Sequence, residues 1–137
     1  MDHLVVDTNV LVAFFLESDE FHVQAQSYIS GLESGDFTFH LSMLVVVEVI
    51  STIGRRAQRD KLARIARASQ SLTDWEQDGK LVLYPLDRNR MHNAMYVAER
   101  HFLRGADSVI AALADELDMP LRTFDKNILA AFQPASV

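Results

Sequence analysis

His3-Leu4-Val5-Val6-Asp7-Thr8-Asn9-Val10-Leu11-Val12-Ala13-Phe14-Phe15-Leu16 is apolar, turns polar for three residues, and becomes apolar again. Leu4 to Val6 reads as a short strand buried on both faces, and Thr8 to Leu16 as a helix leaving it. A strand of that kind belongs to a parallel sheet whose strands are joined by helices. The charge at the junction is the anomaly. Asp7 closes the strand and opens the helix, and a buried carboxylate without a partner is costly or gives up its charge.

The same grammar continues along the chain. Ser18 is positioned to cap a helix to about Leu32, with Asp19 and Glu20 in its first turn. Ser34-Gly35-Asp36 is a turn, Phe37 to Leu41 a second strand, and Ser42 caps a helix from Met43 to about Ile53. Gly54 breaks or bends the path into a long basic helix ending near Gly79. Leu81 to Tyr84 is a third strand stopped by Pro85, and Asp87 caps a helix to about His101. Gly105 marks a turn, Ala106 to Leu117 is helical, Leu121 to Phe124 is a fourth strand, and a short helix follows Asp125. The tail from Gln133 to Val137 offers a weak fifth strand. Strands alternating with helices predict an α/β protein of three layers, α/β/α, with a central parallel sheet of four or five strands.

Three more carboxylates repeat the anomaly at Asp7. Glu48 interrupts Leu44-Val45-Val46-Val47-Glu48-Val49-Ile50, with no Lys or Arg within four positions. Asp107 heads Asp107-Ser108-Val109-Ile110-Ala111-Ala112, and Asp125 ends Leu121-Arg122-Thr123-Phe124-Asp125. Ligands of parallel sheets gather beyond the carboxyl ends of the strands, which is where Asp7 and Asp125 fall. Glu48 stands about two turns into the helix after the second strand, near enough to lean over that rim. A set of oxygen-only ligands suits Mg²⁺ or Mn²⁺ better than zinc.

Each residue also has an ordinary explanation. Asp7, Asp107 and Asp125 can cap the helices that follow them. Asn9 either orients water or a phosphate or satisfies turn backbone, and Thr123 is either a neighbour of the ligands or an ordinary strand threonine. Glu48 is hardest to dismiss, because little polar face remains to hold it out of the core. The five histidines lack the spacing of a metal pair or of a nucleophile–base arrangement.

At 137 residues the chain is read as one domain, 1–137. Cysteine is absent, which removes disulfides, thiolate zinc and a cysteine nucleophile. The longest apolar run, Val10 to Leu16, is far short of the roughly 20 residues that cross a bilayer, and Met1-Asp2-His3 lacks the character of a signal peptide, so a cytoplasmic protein without membrane contact is expected. Net charge is −6, yet Arg55, Arg56, Arg59, Lys61, Arg64 and Arg67 crowd one stretch opposed only by Asp60. On one helix, Arg56, Arg59, Arg64 and Arg67 would share a broad face: either a solvated surface or a strip that attracts phosphates.

Val6-Asp7-Thr8-Asn9-Val10-Leu11, Ser42 with Glu48 six residues on, Asp107 leading Ser108-Val109-Ile110-Ala111-Ala112-Leu113-Ala114, and Thr123-Phe124-Asp125-Lys126 together resemble the four blocks of PIN-domain nucleases. In order, spacing and length the chain is similar to the VapC-type toxins of toxin–antitoxin pairs. The resemblance implies a Mg²⁺- or Mn²⁺-dependent endoribonuclease, a homodimer restrained by a protein antitoxin. Carried over by position, it makes Asp7, Glu48, Asp107 and Asp125 an acidic catalytic and metal-binding quartet, with Asn9 and Thr123 as lesser site residues.

Rival functions differ in what they require. A phosphatase with an aspartyl nucleophile resembles Asp-x-Asp at the first strand end, where this chain has Asn9 in place of the second acid. A PIN-type nuclease of RNA processing without an antitoxin shares every site residue. A pure binding partner in a repressor complex has no need of an intact quartet.

Overall fold

The computed structural model describes residues 2–131. β1 (Asp2–Val6) runs into α1 (Thr8–Phe15), and α2 (His22–Ser34) leads to β2 (Phe37–Ser42). Next come α3 (Met43–Arg56), α4 (Lys61–Gln77) and β3 (Leu81–Tyr84). α5 (Arg88–His101), α6 (Gly105–Leu117), β4 (Leu121–Arg122) and the short α7 (Lys126–Ala131) complete the described chain. The four strands form one parallel sheet in the order β3-β2-β1-β4. The expected α/β/α architecture with a parallel sheet is what forms; the fifth strand proposed for Gln133 to Val137 lies outside the described residues.

Burial explains why the strands sit where they do. Leu4, Val5 and Val6 are sealed on both faces, as are Phe39 and Leu41 of β2. α3 sends Val45, Val49 and Ile53 into the same core at four-residue spacing. α1 to α4 pack on one another and against β2 and β3, while α5 and α6 pair and α6 lies on β1 and β2.

Strand order follows from these layers. The chain steps outward from β1 to β2 to β3 with α1 to α4 as its crossovers, then returns through α5 and α6 to the other side of β1. Right-handed crossovers that reverse direction across the sheet put their helices on opposite faces. The reversal leaves a crevice beyond the carboxyl ends of β1 and β4, the place where such sheets bind ligands.

Several boundaries differ from the sequence expectation. Ser18 caps no helix. Residues Leu16 to His22 fold as successive turns, and the Asp19 carboxylate accepts from Phe21 N at 2.8 Å and pairs with Arg56 at 2.8 Å. Gly54 does not break α3. It lies inside α3, where a Cβ would meet Ile65 of α4 at ordinary contact distance, and the helix runs on through it. The break comes at 57–60, where Asp60 adopts a left-handed φ of 54°, a conformation Asp tolerates better than most residues. Arg56 therefore belongs to α3, Arg59 to the turn, and Arg64 and Arg67 to α4, so the basic residues do not share one helix face. β4 pairs only over Leu121–Arg122, because the next backbone donors are taken by side chains: Phe124 N by Asn9 Oδ1 and Asp125 N by Thr123 Oγ1. Among the described residues no helix is long and apolar enough to cross a membrane.

Gly31 sets how closely α2 approaches β2. A Cβ there would overlap the ring of Phe37, and both partners are pinned in the packed layer. Gly31→Ala should therefore destabilise the protein by about 1–3 kcal/mol, overpacking outweighing the smaller gain in helix propensity. Denaturant titration checks this, and Phe37→Leu in the same chain should recover part of the loss. A Gly31→Ala variant at least as stable as wild type would contradict the packing.

Candidate functional site

The rim beyond β1 and β4 is held together by Asp7. As N-cap of α1 it leaves the strand in extended conformation, and its Oδ1 accepts from Thr8 N at 2.7 Å. Its Oδ2 accepts from Thr123 Oγ1 at 2.7 Å, across the gap to the end of β4. Thr123 Oγ1 in turn accepts from Asn9 Nδ2 at 3.1 Å and from Asp125 N at 3.0 Å. One hydroxyl therefore ties the ends of two neighbouring strands, the first turn of α1 and the approach to Asp125. Asn9 closes the ring with its Oδ1 on Phe124 N.

The other carboxylates approach the same place from separate elements. Glu48 is half-buried on α3, and Thr8 Oγ1 donates to its Oε1 at 2.8 Å. The helix does have an outer face: Val47 takes it, 66% exposed, while Glu48 points along the edge of the buried stripe toward Asp7. Asp107 occupies the first turn of α6 but does not cap it, since the N-cap is Arg104 and no side chain bonds there. Asp125 accepts from Asn127 N at 2.8 Å, so it serves the start of α7 as well as the rim.

Arg104 is the residue that sequence reasoning missed. Its Nε donates to Asp107 Oδ2 at 3.1 Å and its Nη2 lies 3.7 Å from Asp125 Oδ2. The three-residue spacing to Asp107 on a helix start was the signal available. Thr8, overlooked beside Asp7, is the residue that orients Glu48.

Electrostatics couple Asp7 to two of the other three carboxylates, Asp107 and Glu48. Burial pushes the Asp7 carboxyl from an ordinary 3.8 up to about 6, against the Thr123 and Thr8 hydrogen bonds that favour its anion. The negative charges of Asp107 and Glu48 push it further the same way. Among the described residues, no three His, Cys, Asp or Glu side chains stand close enough to hold a metal ion in this arrangement. The donors still suit a hard divalent cation: all are oxygens, and their mutual repulsion at Asp7 is what such an ion would relieve. Arg104 already pairs with two of these donors, through Asp107 Oδ2 and Asp125 Oδ2.

The arginines of the basic stretch come from different elements but gather on one side, where Arg56, Arg59 and Arg64 line a common cavity of about 250 Å³ with Glu17. Arg56 lines an open cleft of about 580 Å³ together with Asn9, Asp19, Glu20, Phe21, Phe124 and Asp125. Arg64 and Arg67 each reach Glu17 at 4.0 Å, and Arg59 is exposed on the turn. Two histidines do meet: His3 Nδ1 and His40 Nε2 are 2.8 Å apart, with His40 Nδ1 2.7 Å from Tyr84 Oη. None of the three bonds to the carboxylate rim.

A carboxyl with a raised folded pKa adds stability below its unfolded value, and that addition is lost as pH rises through the folded value. For Asp7 the change from 3.8 to about 6 is worth roughly 3 kcal/mol. Protein kept in EDTA should lose stability on this account between about pH 4 and 6, the interval between the unfolded and folded values. The checking measurement is the NMR titration of the Asp7 side-chain carbon, with an expected midpoint near 6. A midpoint near 4 would contradict the burial and crowding described.

The PIN domain family model matches residues 4–132. Among solved structures, Mycobacterium tuberculosis VapC20, a sarcin-ricin loop cleaving toxin, is similar with a TM-score of 0.74 and 16% identity, over 94% of this chain and 95% of that one. FitAcB from Neisseria gonorrhoeae is similar with a TM-score of 0.70 and 20% identity, over 98% and 99% of the two chains. VapBC2 from Rickettsia felis, bound to a DNA fragment from its promoter, is similar with a TM-score of 0.66 and 13% identity, over 94% and 92%. No curated protein matches by sequence. At these identities the solved structures speak for the fold, and the family model for the kinship: the chain belongs to the PIN-domain family.

Proposed function

We propose that the protein is a divalent-metal-dependent endoribonuclease, the toxin of a type II toxin–antitoxin pair, acting through Asp7, Glu48, Asp107 and Asp125. The observation that carries this is the convergence of four carboxylates from four separate segments at the switch point of a PIN fold. Capping alone does not account for it, since Asp107 caps nothing and Glu48 lies mid-helix. The similarity to VapC20, FitAcB and VapBC2 supports the toxin assignment and a protein antitoxin as partner. A PIN-type nuclease of RNA processing without an antitoxin is the alternative, and a small neighbouring antitoxin gene separates the two.

In this reading Asp7 and Asp107 hold the cation, Mg²⁺ or Mn²⁺, with Asp125 completing the oxygen set. When bound, the ion supplies Lewis-acid relief of charge on the phosphoryl oxygens and a water acidic enough to attack near neutral pH. Glu48, oriented by Thr8 Oγ1, accepts the proton of the attacking water at its Oε2. Thr123 and Asn9 keep Asp7 and Asp125 in register. Attack by water leaves a 5′-phosphate and a 3′-hydroxyl. Arg56 is best placed to meet RNA phosphate, because it lines the cleft that contains Asn9 and Asp125. Arg59, Arg64 and Arg67 lie farther along the same surface, and a homodimer and cytoplasmic action complete the proposal.

Asp107→Asn and Glu48→Gln should each lower RNA cleavage by at least about two orders of magnitude while preserving the fold. Cleavage should stop in EDTA and return with Mn²⁺ or Mg²⁺. Sequencing of the ends should find 5′-phosphates. Cleavage that persists in EDTA or survives in both variants would overturn the assignment.

A further inference from the structure

Arg104 sits where the fold gives it little reason to be. As N-cap of α6 it places a cation at the positive end of the helix dipole, and its side chain makes no capping bond. Its backbone is nonetheless fixed: Arg104 O accepts from Ser108 N at 2.9 Å and from Ser108 Oγ at 3.0 Å, and Ser108 is buried. The side chain by contrast lies 82% exposed, while the carboxylates that it touches, Asp107 and Asp125, are 13% and 20% exposed. A fixed backbone thus carries a solvent-exposed guanidinium against two largely covered acids of the rim.

An exposed ion pair of this kind is weak and easily exchanged. A divalent cation has twice the charge and a stronger claim on the same oxygens. Once displaced, the guanidinium keeps its charge and its planar set of donors, which match phosphate oxygens in pairs. We propose that Arg104 is a positioning residue with two alternative partners: Asp107 and Asp125 in the metal-free protein, and an RNA phosphate once the cation has taken those carboxylates. The inference rests on the endoribonuclease proposal and adds an order of events to it, in which metal loading releases the group that receives the substrate.

The exchange predicts opposite effects from one substitution. Calorimetric titration with Mn²⁺ alone, without RNA, should find binding to Arg104→Gln roughly two- to fivefold tighter than to wild type, because a competing cation has gone. Cleavage of a short single-stranded RNA at saturating Mn²⁺ should show kcat/KM lower by about tenfold or more in the same variant. Arg104→Lys should recover part of the cleavage, since a point charge replaces only some of the fork. If Arg104 merely braces α6, metal binding and cleavage will fall together, or neither will change, and the inference is wrong. Unchanged or weaker Mn²⁺ binding by Arg104→Gln overturns the counter-ion role. Unchanged kcat/KM overturns the phosphate role. A wild-type protein that neither binds Mn²⁺ nor cleaves RNA overturns the functional proposal itself, a result distinct from a wild type that does both and a variant that matches it.

Discussion

A carboxylate cut off from water at the end of the first strand is the constraint around which the rim is built. Asp7 is 4% exposed, and its two oxygens are occupied by the Thr8 backbone and the Thr123 hydroxyl. Those bonds orient the group but do not neutralise it, so burial still drives its pKa upward. Nearby negative charge on Asp107 and Glu48 worsens the problem rather than easing it. A helix start alone does not require such an arrangement, because an uncharged Asn or Ser would cap the same helix without burying a charge. A strained electrostatic site of this type is where function is expected.

Topology makes the crowding unavoidable. With strand order β3-β2-β1-β4, the chain ends β1 and β4 side by side, and both strands run parallel. Whatever follows each strand emerges at one edge. α6 returns antiparallel to the strands, so its first turn, with Asp107, starts at that edge also. α3 leaves β2 from the same edge and brings Glu48 back over it through Thr8. Four segments separated by up to 118 positions in sequence (from Asp7 to Asp125) meet because the sheet is wound in two directions.

The sheet was legible in the sequence because apolar runs define its strands, and the four carboxylates drew attention because each lies inside or just beyond such a run. Helix ends were less legible where tertiary contacts took over local signals. Ser18 looks like a cap, yet Asp19 is drawn to Arg56 and to Phe21 N, and the helix starts later. Gly54 looks like a break, yet α3 runs through it to Arg56 and Asp60 makes the turn. The fourth strand looked two residues longer because Asn9, 115 residues upstream of Phe124, captures a backbone donor that a ladder would have used. Arg104 was hidden by its company. In a stretch read for its acid, the cation three residues earlier drew no notice, although it pairs with both Asp107 and Asp125.

The central claim is that the rim is a single cation site formed by residues that the fold brings together. Crystals soaked in Mn²⁺ and measured at an anomalous wavelength test it most directly. The account predicts one strong anomalous peak within about 2.0–2.3 Å of carboxylate oxygens of both Asp7 and Asp107, with the Arg104 side chain moved away from them. No peak at the rim under saturating Mn²⁺, or a peak bound elsewhere with Arg104 still paired to Asp107, would contradict it.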